Sequence, residues 1–246
     1  MSAVTLEICV DGADGLIAAI AGGAHRIELC SALALGGLTP SPGLMTLAAR
    51  APVPVYAMIR PRAGDFVFSP AEIDQMRREI DAVREAGLAG VVLGASEPGG
   101  ALDEALLARL AAHAEGLGRT LHRAFDLVPD RALALEAAVA LGFERILTSG
   151  GAAKADDALP ELAALVKQAA ARISVMPGSG VRPDNAAAII AATDAREIHA
   201  SCRAAGIAVA AEALALGFAA EAQRMETSEA MVSALAEALR NAQNRT

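Results

Sequence analysis

Along the chain, short runs of β-branched and aliphatic residues alternate with longer runs whose apolar positions recur every three to four residues. The short runs predict strands at Val4–Val10, His25–Cys30, Val53–Arg60, Gly90–Ala95, Arg119–Ala124, Arg145–Ser149, Ile173–Pro177 and Glu197–Ser201. The longer runs predict helices near Gly12–Ala21, Gly43–Ala51, Pro70–Ala86, Asp103–Glu115, Pro129–Leu141, Asp156–Ala170, Pro183–Ala192 and Ser228–Asn241. Gly22, Gly87 and Gly142 follow three of these helices, as C-cap residues do. Such alternation demands parallel strands joined by right-handed crossovers. Eight units in 246 residues predict an α/β fold, a single (β/α)8 barrel of the TIM type spanning residues 1–246. An open dinucleotide-binding sheet fits less well, because no G-x-G-x-x-G follows the first strand.

Within a strand, successive side chains point to opposite faces. In the first strand Leu6, Ile8 and Val10 are apolar and face the helices, which turns Glu7 and Cys9 inward. By the same alternation Glu28 and Cys30, then Tyr56, Met58 and Arg60, then Thr120, His122 and Ala124, then Glu197 and His199 face the barrel interior. Two readings compete. Glu7, Glu28, Arg60 and Glu197 form a structural ion-pair plug, or the set lines a functional pocket. His122 and His199 sit late in their strands, where barrel active sites lie, and this favours the pocket.

The loops add a candidate anion site. Ser149-Gly150-Gly151 follows the sixth strand, and Gly178-Ser179-Gly180 with Arg182 follows the seventh and leads into a helix. Glycine-rich loops expose backbone N–H groups, and a helix N-terminus adds a positive dipole. Arg60 and Arg62 after the third strand supply two more guanidinium groups. The competing reading is that the glycines only make turns and that Arg62 is solvated.

Composition narrows the function. A net charge of −8, no Trp and one Tyr argue against nucleic acid. The apolar stretches are interrupted too often to span a bilayer, and Met1–Cys9 carries no basic leader region. Three cysteines are too few for a disulfide framework and suit a reducing cytoplasm. The only lysines are Lys154 in a loop and Lys167 in a helix, so a Schiff-base aldolase would lack its nucleophile.

Several blocks together resemble one family. They are Ala24–Cys30 with Gly36–Ser41, Ile59–Phe66, His122–Asp126, Leu147–Gly150, Gly178–Arg182 and Glu197–Ser201. Collinear from residue 5 to about 201, they resemble the copper homeostasis protein CutC family. The resemblance implies a TIM-type barrel and a cytoplasmic role in copper handling. Arg203–Arg224 departs from it, being Ala-rich where the family carries a longer polar loop.

Two functions of different class follow. The first is copper(I) binding by Cys9 and Cys30, which project inward from adjacent strands, with Cys202, Met58 and Met176 as soft neighbours. Against it, no C-x-x-C is present and a buried cysteine is a common core residue. The second is a metal-independent isomerase or lyase acting on a small anionic or phosphorylated molecule. Its candidate catalytic residues are Glu7, Glu28, Arg60, His122 and His199. The apolar stretch Ile207–Ala220 further predicts a homodimer.

Overall fold

Leu6, Ile8 and Val10 of β1 (Thr5–Val10) are buried against the helices, and Glu7 and Cys9 between them are buried in the interior. A strand covered on both faces is the mark of a parallel sheet. In the computed structural model, which describes residues 4–243, the chain continues as α1 (Ala13–Ala21), β2 (Arg26–Leu29), α2 (Pro42–Ala48), β3 (Val55–Met58), α3 (Pro70–Ala86), β4 (Gly90–Leu93) and α4 (Glu104–His113). Then come β5 (Gly118–Leu121), α5 (Arg131–Ala140), β6 (Arg145–Thr148), α6 (Leu159–Ala169), β7 (Ser174–Pro177), α7 (Ala186–Thr193) and β8 (Glu197–Ala200). The strands pair in parallel from β1 to β7, β8 pairs with β1, and β7 packs beside β8 at the seam of a nearly closed barrel. The expectations about a leader in Met1–Cys9 and a domain over 1–246 fall partly on residues 1–3 and 244–246, outside the described residues.

Helix boundaries follow local chemistry. Ser69 and Glu72 form a capping box at the start of α3, with Pro70 in the first turn and Gly87 left-handed at its end. The strands are shorter than the apolar runs. Arg60, His122, Ser149 and Ser201 lie just beyond their strands, at the C-terminal rim. The helix expected from Pro183 begins at Ala186, because Asn185 Oδ1 accepts from the Arg182 N–H and closes a turn first. That from Asp156 is preceded by a 3-10 turn, Ala155–Ala158.

The segment after β8 is not a loop. β9 (Arg203–Ala208) pairs antiparallel with β10 (Gln223–Thr227), with α8 (Ala211–Ala215) between them, and α9 (Glu229–Gln243) packs on α1 and α7. Ile207, Leu216 and Phe218 remain exposed, Phe218 at 82%.

Candidate functional site

The interior is built in two levels. In the lower one, Arg26 donates to Glu7 and to Glu197, and Arg145 Nε donates to Glu197 at 3.2 Å. Arg145 also reaches Thr120 and stacks on Tyr56, whose hydroxyl donates to Glu144. A Cβ on Gly90 would lie 2.3 Å from the Tyr56 ring and one on Gly118 2.2 Å from its hydroxyl, so glycine at those strand starts is what lets Tyr56 cross the barrel. This is the ion-pair plug, with a different membership from the expected one. Arg26 and Arg145 replace Arg60 and Glu28, because only they sit low enough to meet Glu7 and Glu197. Arg26 shares its face with Glu28, so the same alternation identifies it. Met176 belongs here too, its sulfur accepting from Arg26.

Above the plug, at the C-terminal ends of the strands, lies a cavity of about 480 Å³ lined by Cys9, Glu28, Met58, Arg60, His122, His199 and Cys202, among others. Cys9 Sγ, a Glu28 oxygen and a His199 nitrogen lie within 4.8 Å of one another, all buried. His199 Nδ1 lies 2.8 Å from Glu7 Oε1, which leaves Nε2 facing Glu28 Oε2 at 3.9 Å. Glu7 therefore sits beneath the cavity and orients His199. Cys30 is fully buried behind Glu28, its Sγ donating to Glu28 Oε2 at 3.6 Å. Glu28 Oε1 has no partner among the described residues.

Burial and charge set the protonation states. Burial alone would raise Glu7, but the His199 hydrogen bond and the Arg26 charge overcome it and hold the carboxyl at about 2. Glu28 is pushed up to about 7 by burial, against the pull of His199, with the Glu7 charge adding to the rise. Burial disfavours the His199 cation, yet Cys9, Glu28 and Glu7 around it raise its pKa well above the usual imidazole value. Burial also keeps the Cys9 and Cys30 thiols protonated in the absence of a ligand.

His122 is 3% exposed and held at about 3 by burial and the Arg60 charge, so its ring is neutral. Its Nδ1 accepts from the Ala124 N–H at 3.1 Å, which puts the ring proton on Nε2. That Nε2 has no partner among the described residues. A Cβ on Gly94 would lie 2.5 Å from this ring.

The loops divide the expected anion site. After β6, the amides of Ser149 and Gly151 donate to the Asp126 carboxylate, and the Gly150 amide donates to Thr148 Oγ1. These donors are spent on the chain's own Asp126, which Arg123 also pairs. Asp126 stands in the His122–Asp126 block, yet no local pattern announces that it fills a loop twenty-odd residues away. After β7, Gly178 donates to Thr148 and Ser179 Oγ donates to the Ala153 carbonyl. The amides of Ser179, Gly180 and Val181, which line the cavity, have no partner among the described residues. Arg182 pairs with Asp184, and Arg62 with Asp65 and Glu72, so neither guanidinium is free.

Known proteins resemble this chain in sequence and fold. A CutC family protein from Rhizobium meliloti is 58% identical over 235 residues, 96% of each chain. One from Caulobacter vibrioides is 64% identical over 198 residues, 80% of this chain and 81% of its own. The crystal structure of a CutC from Streptococcus agalactiae, named for copper homeostasis, superposes with a TM-score of 0.78 at 32% identity, over 80% of this chain and 98% of that one. The CutC family model matches residues 4–204, which span the barrel strands and every residue of the cavity cluster; the chain belongs to the CutC family.

Proposed function

We propose that the mouth cavity binds copper(I), as the family's link to copper homeostasis suggests. The observation that carries this reading is the convergence of Cys9, Glu28 and His199 within 4.8 Å. Sulfur and imidazole donors suit copper(I), and Cys30 beside Glu28 offers a second sulfur. A ligating histidine usually gives its other ring N–H to a carboxylate, as His199 gives Nδ1–H to Glu7. The unpartnered Glu28 Oε1 marks unused ligand capacity. Competition titration of reduced protein with a copper(I) chelator tests the reading. Copper(I) should be held by the parent and lost in Cys9→Ser and His199→Ala; equal retention in both variants overturns it.

A second reading is favoured by the size of the cavity, which is far larger than one ion needs. It is a metal-independent site for a small anionic or phosphorylated molecule. Glu28 and the neutral His122 would move protons, and the free amides of Ser179, Gly180 and Val181 would hold the anion. Thermal-shift screening of sugar phosphates against metal-free protein tests it, and no shift with any of them overturns it.

Three free, buried cysteines suit a reducing cytoplasm, and no helix among the described residues is long and apolar enough to cross a membrane. The exposed Ile207, Leu216 and Phe218 support pairing of two copies of the chain.

A further inference from the structure

The arginines of the plug have carboxylates. Arg26 holds Glu7 and Glu197, and Arg145 holds Glu197 with Glu144 at 3.2 Å. Arg60 is as deeply buried, at 6% exposure, and has none among the described residues. Its Nη1 donates to the carbonyls of Leu35 and Gly37, at 3.0 and 3.1 Å, and its Nη2 to that of Gly64 at 2.9 Å. Its guanidinium lies 5.0 Å from the Phe66 ring centre. Carbonyl dipoles and an aromatic face soften a buried cation, but they do not neutralise it. Its Nε–H has no partner among the described residues.

A comparable donor on the same aromatic ring is His122. Its Nε2–H is also unpartnered among the described residues, and its ring packs against Phe66, centroids 4.7 Å apart. Arg60, His122 and Phe66 all line the mouth cavity. Arg60 and His122 therefore place one uncompensated positive charge and two unused N–H donors, themselves buried, around one aromatic ring at the cavity wall. Two donors and one charge match the two oxygens and one charge of a carboxylate. A phosphate would bring more oxygens and more charge than this pair can meet. Unpaired buried donors are rare in folded proteins and call for an occupant.

We infer that Arg60 and His122 receive the carboxylate of a small organic acid in the mouth cavity. The inference deepens the small-anion reading given above and does not depend on copper. Glu28 Oε1, the third unpartnered atom of the same cavity, would meet a hydroxyl of that acid. The ligand class is thus a small hydroxycarboxylate.

Titration calorimetry on chelator-treated full chain tests this, with glycolate, lactate and malate as probes. Phosphate and the neutral lactamide are the comparisons. At least one hydroxycarboxylate should bind at millimolar concentration or below while lactamide does not. Arg60→Lys and His122→Gln should each weaken that binding by about tenfold or more. Arg60 also holds three loop carbonyls, so thermal unfolding checks that Arg60→Lys is folded; where it is not, His122→Gln, which gives up only the hydrogen bond from the Ala124 amide and the Phe66 ring contact, decides the matter alone. Phosphate binding with the carboxylates silent overturns the carboxylate assignment and leaves the small-anion reading standing. Carboxylate binding that neither variant weakens overturns the assignment to Arg60 and His122. No binding by any anion overturns both.

Discussion

Glu7 Oε1 and His199 Nδ1 lie 2.8 Å apart, joining residues separated by 192 positions where β8 closes onto β1. The same carboxyl pairs with Arg26 through its other oxygen, so Glu7 ties the plug to the cavity floor. Replacing Glu7 by Gln keeps the shape and removes the charge. Breaking a buried pair in this way costs about 3–5 kcal/mol, because the partners stay buried without compensation. Denaturant unfolding of Glu7→Gln should show that loss with an unchanged slope. A loss below about 1 kcal/mol would mean that the pair is no more than a surface ion pair in effect.

Acid should destabilise the fold chiefly below about pH 4.5, where His122 and Glu7 lose their contributions together. His122 has its pKa lowered from 6.5 to about 3, so the unfolded chain binds the extra proton between those values. Its contribution is intact above pH 6.5 and is lost as pH falls, at about 1.4 kcal/mol per pH unit. Glu7, lowered from 4.5 to about 2, loses its contribution as pH falls through that lower window. His199 acts oppositely: its raised pKa makes its contribution complete below 6.5 and lost as pH rises through the folded value. Glu28, raised from 4.5 to about 7, gains stability as pH falls through that window and offsets His122 there. Stability measured against pH in His122→Asn, which lacks that opposing loss, should rise as pH falls from about 6.5 to 4.5 and then drop through the Glu7 window.

Asp126 should behave as an internal anion. It accepts from the amides of Ser149 and Gly151 and pairs with Arg123. In Asp126→Ala those donors lose their acceptor, at a cost of about 1–3 kcal/mol each before water replaces it. Hydrogen exchange at residues 149–151 should accelerate, while exchange in β1 stays slow. Unchanged protection at Ser149 and Gly151 would contradict this role.

Gly94 is fixed by close approach. A Cβ there would lie 2.5 Å from two atoms of the buried His122 ring and 3.1 Å from Ala124. Gly94→Ala should lower stability by about 1–3 kcal/mol as an overpacked substitution. A neutral outcome would show that His122 can move aside without loss.

The hairpin after β8 carries Ile207, Leu216 and Phe218 on its surface, at 66%, 71% and 82% exposure. If two copies pair through it, light scattering should give a dimer mass at micromolar concentration, and Phe218→Glu should give a monomer. A monomeric parent would remove this surface from consideration.

The sequence alone determined the barrel and the facing of its side chains. Period-two alternation turns Glu7, Cys9, Glu28 and His199 inward because Leu6, Ile8, Ile27 and Ile198 must meet the helices. Capping chemistry likewise sets the bounds of α3. Height within the barrel was not legible, since alternation gives a side and not a level. Strand stagger decides it, pairing Arg26 with Glu7 and Glu197 in the plug while Glu28 and Arg60 line the cavity above. Nor could local pattern reveal that Asp126 would occupy the β6 loop, or that Arg60 would be left without a carboxylate. Those outcomes depend on which residues from distant strands reach the same depth, and only closure of β8 onto β1 fixes that.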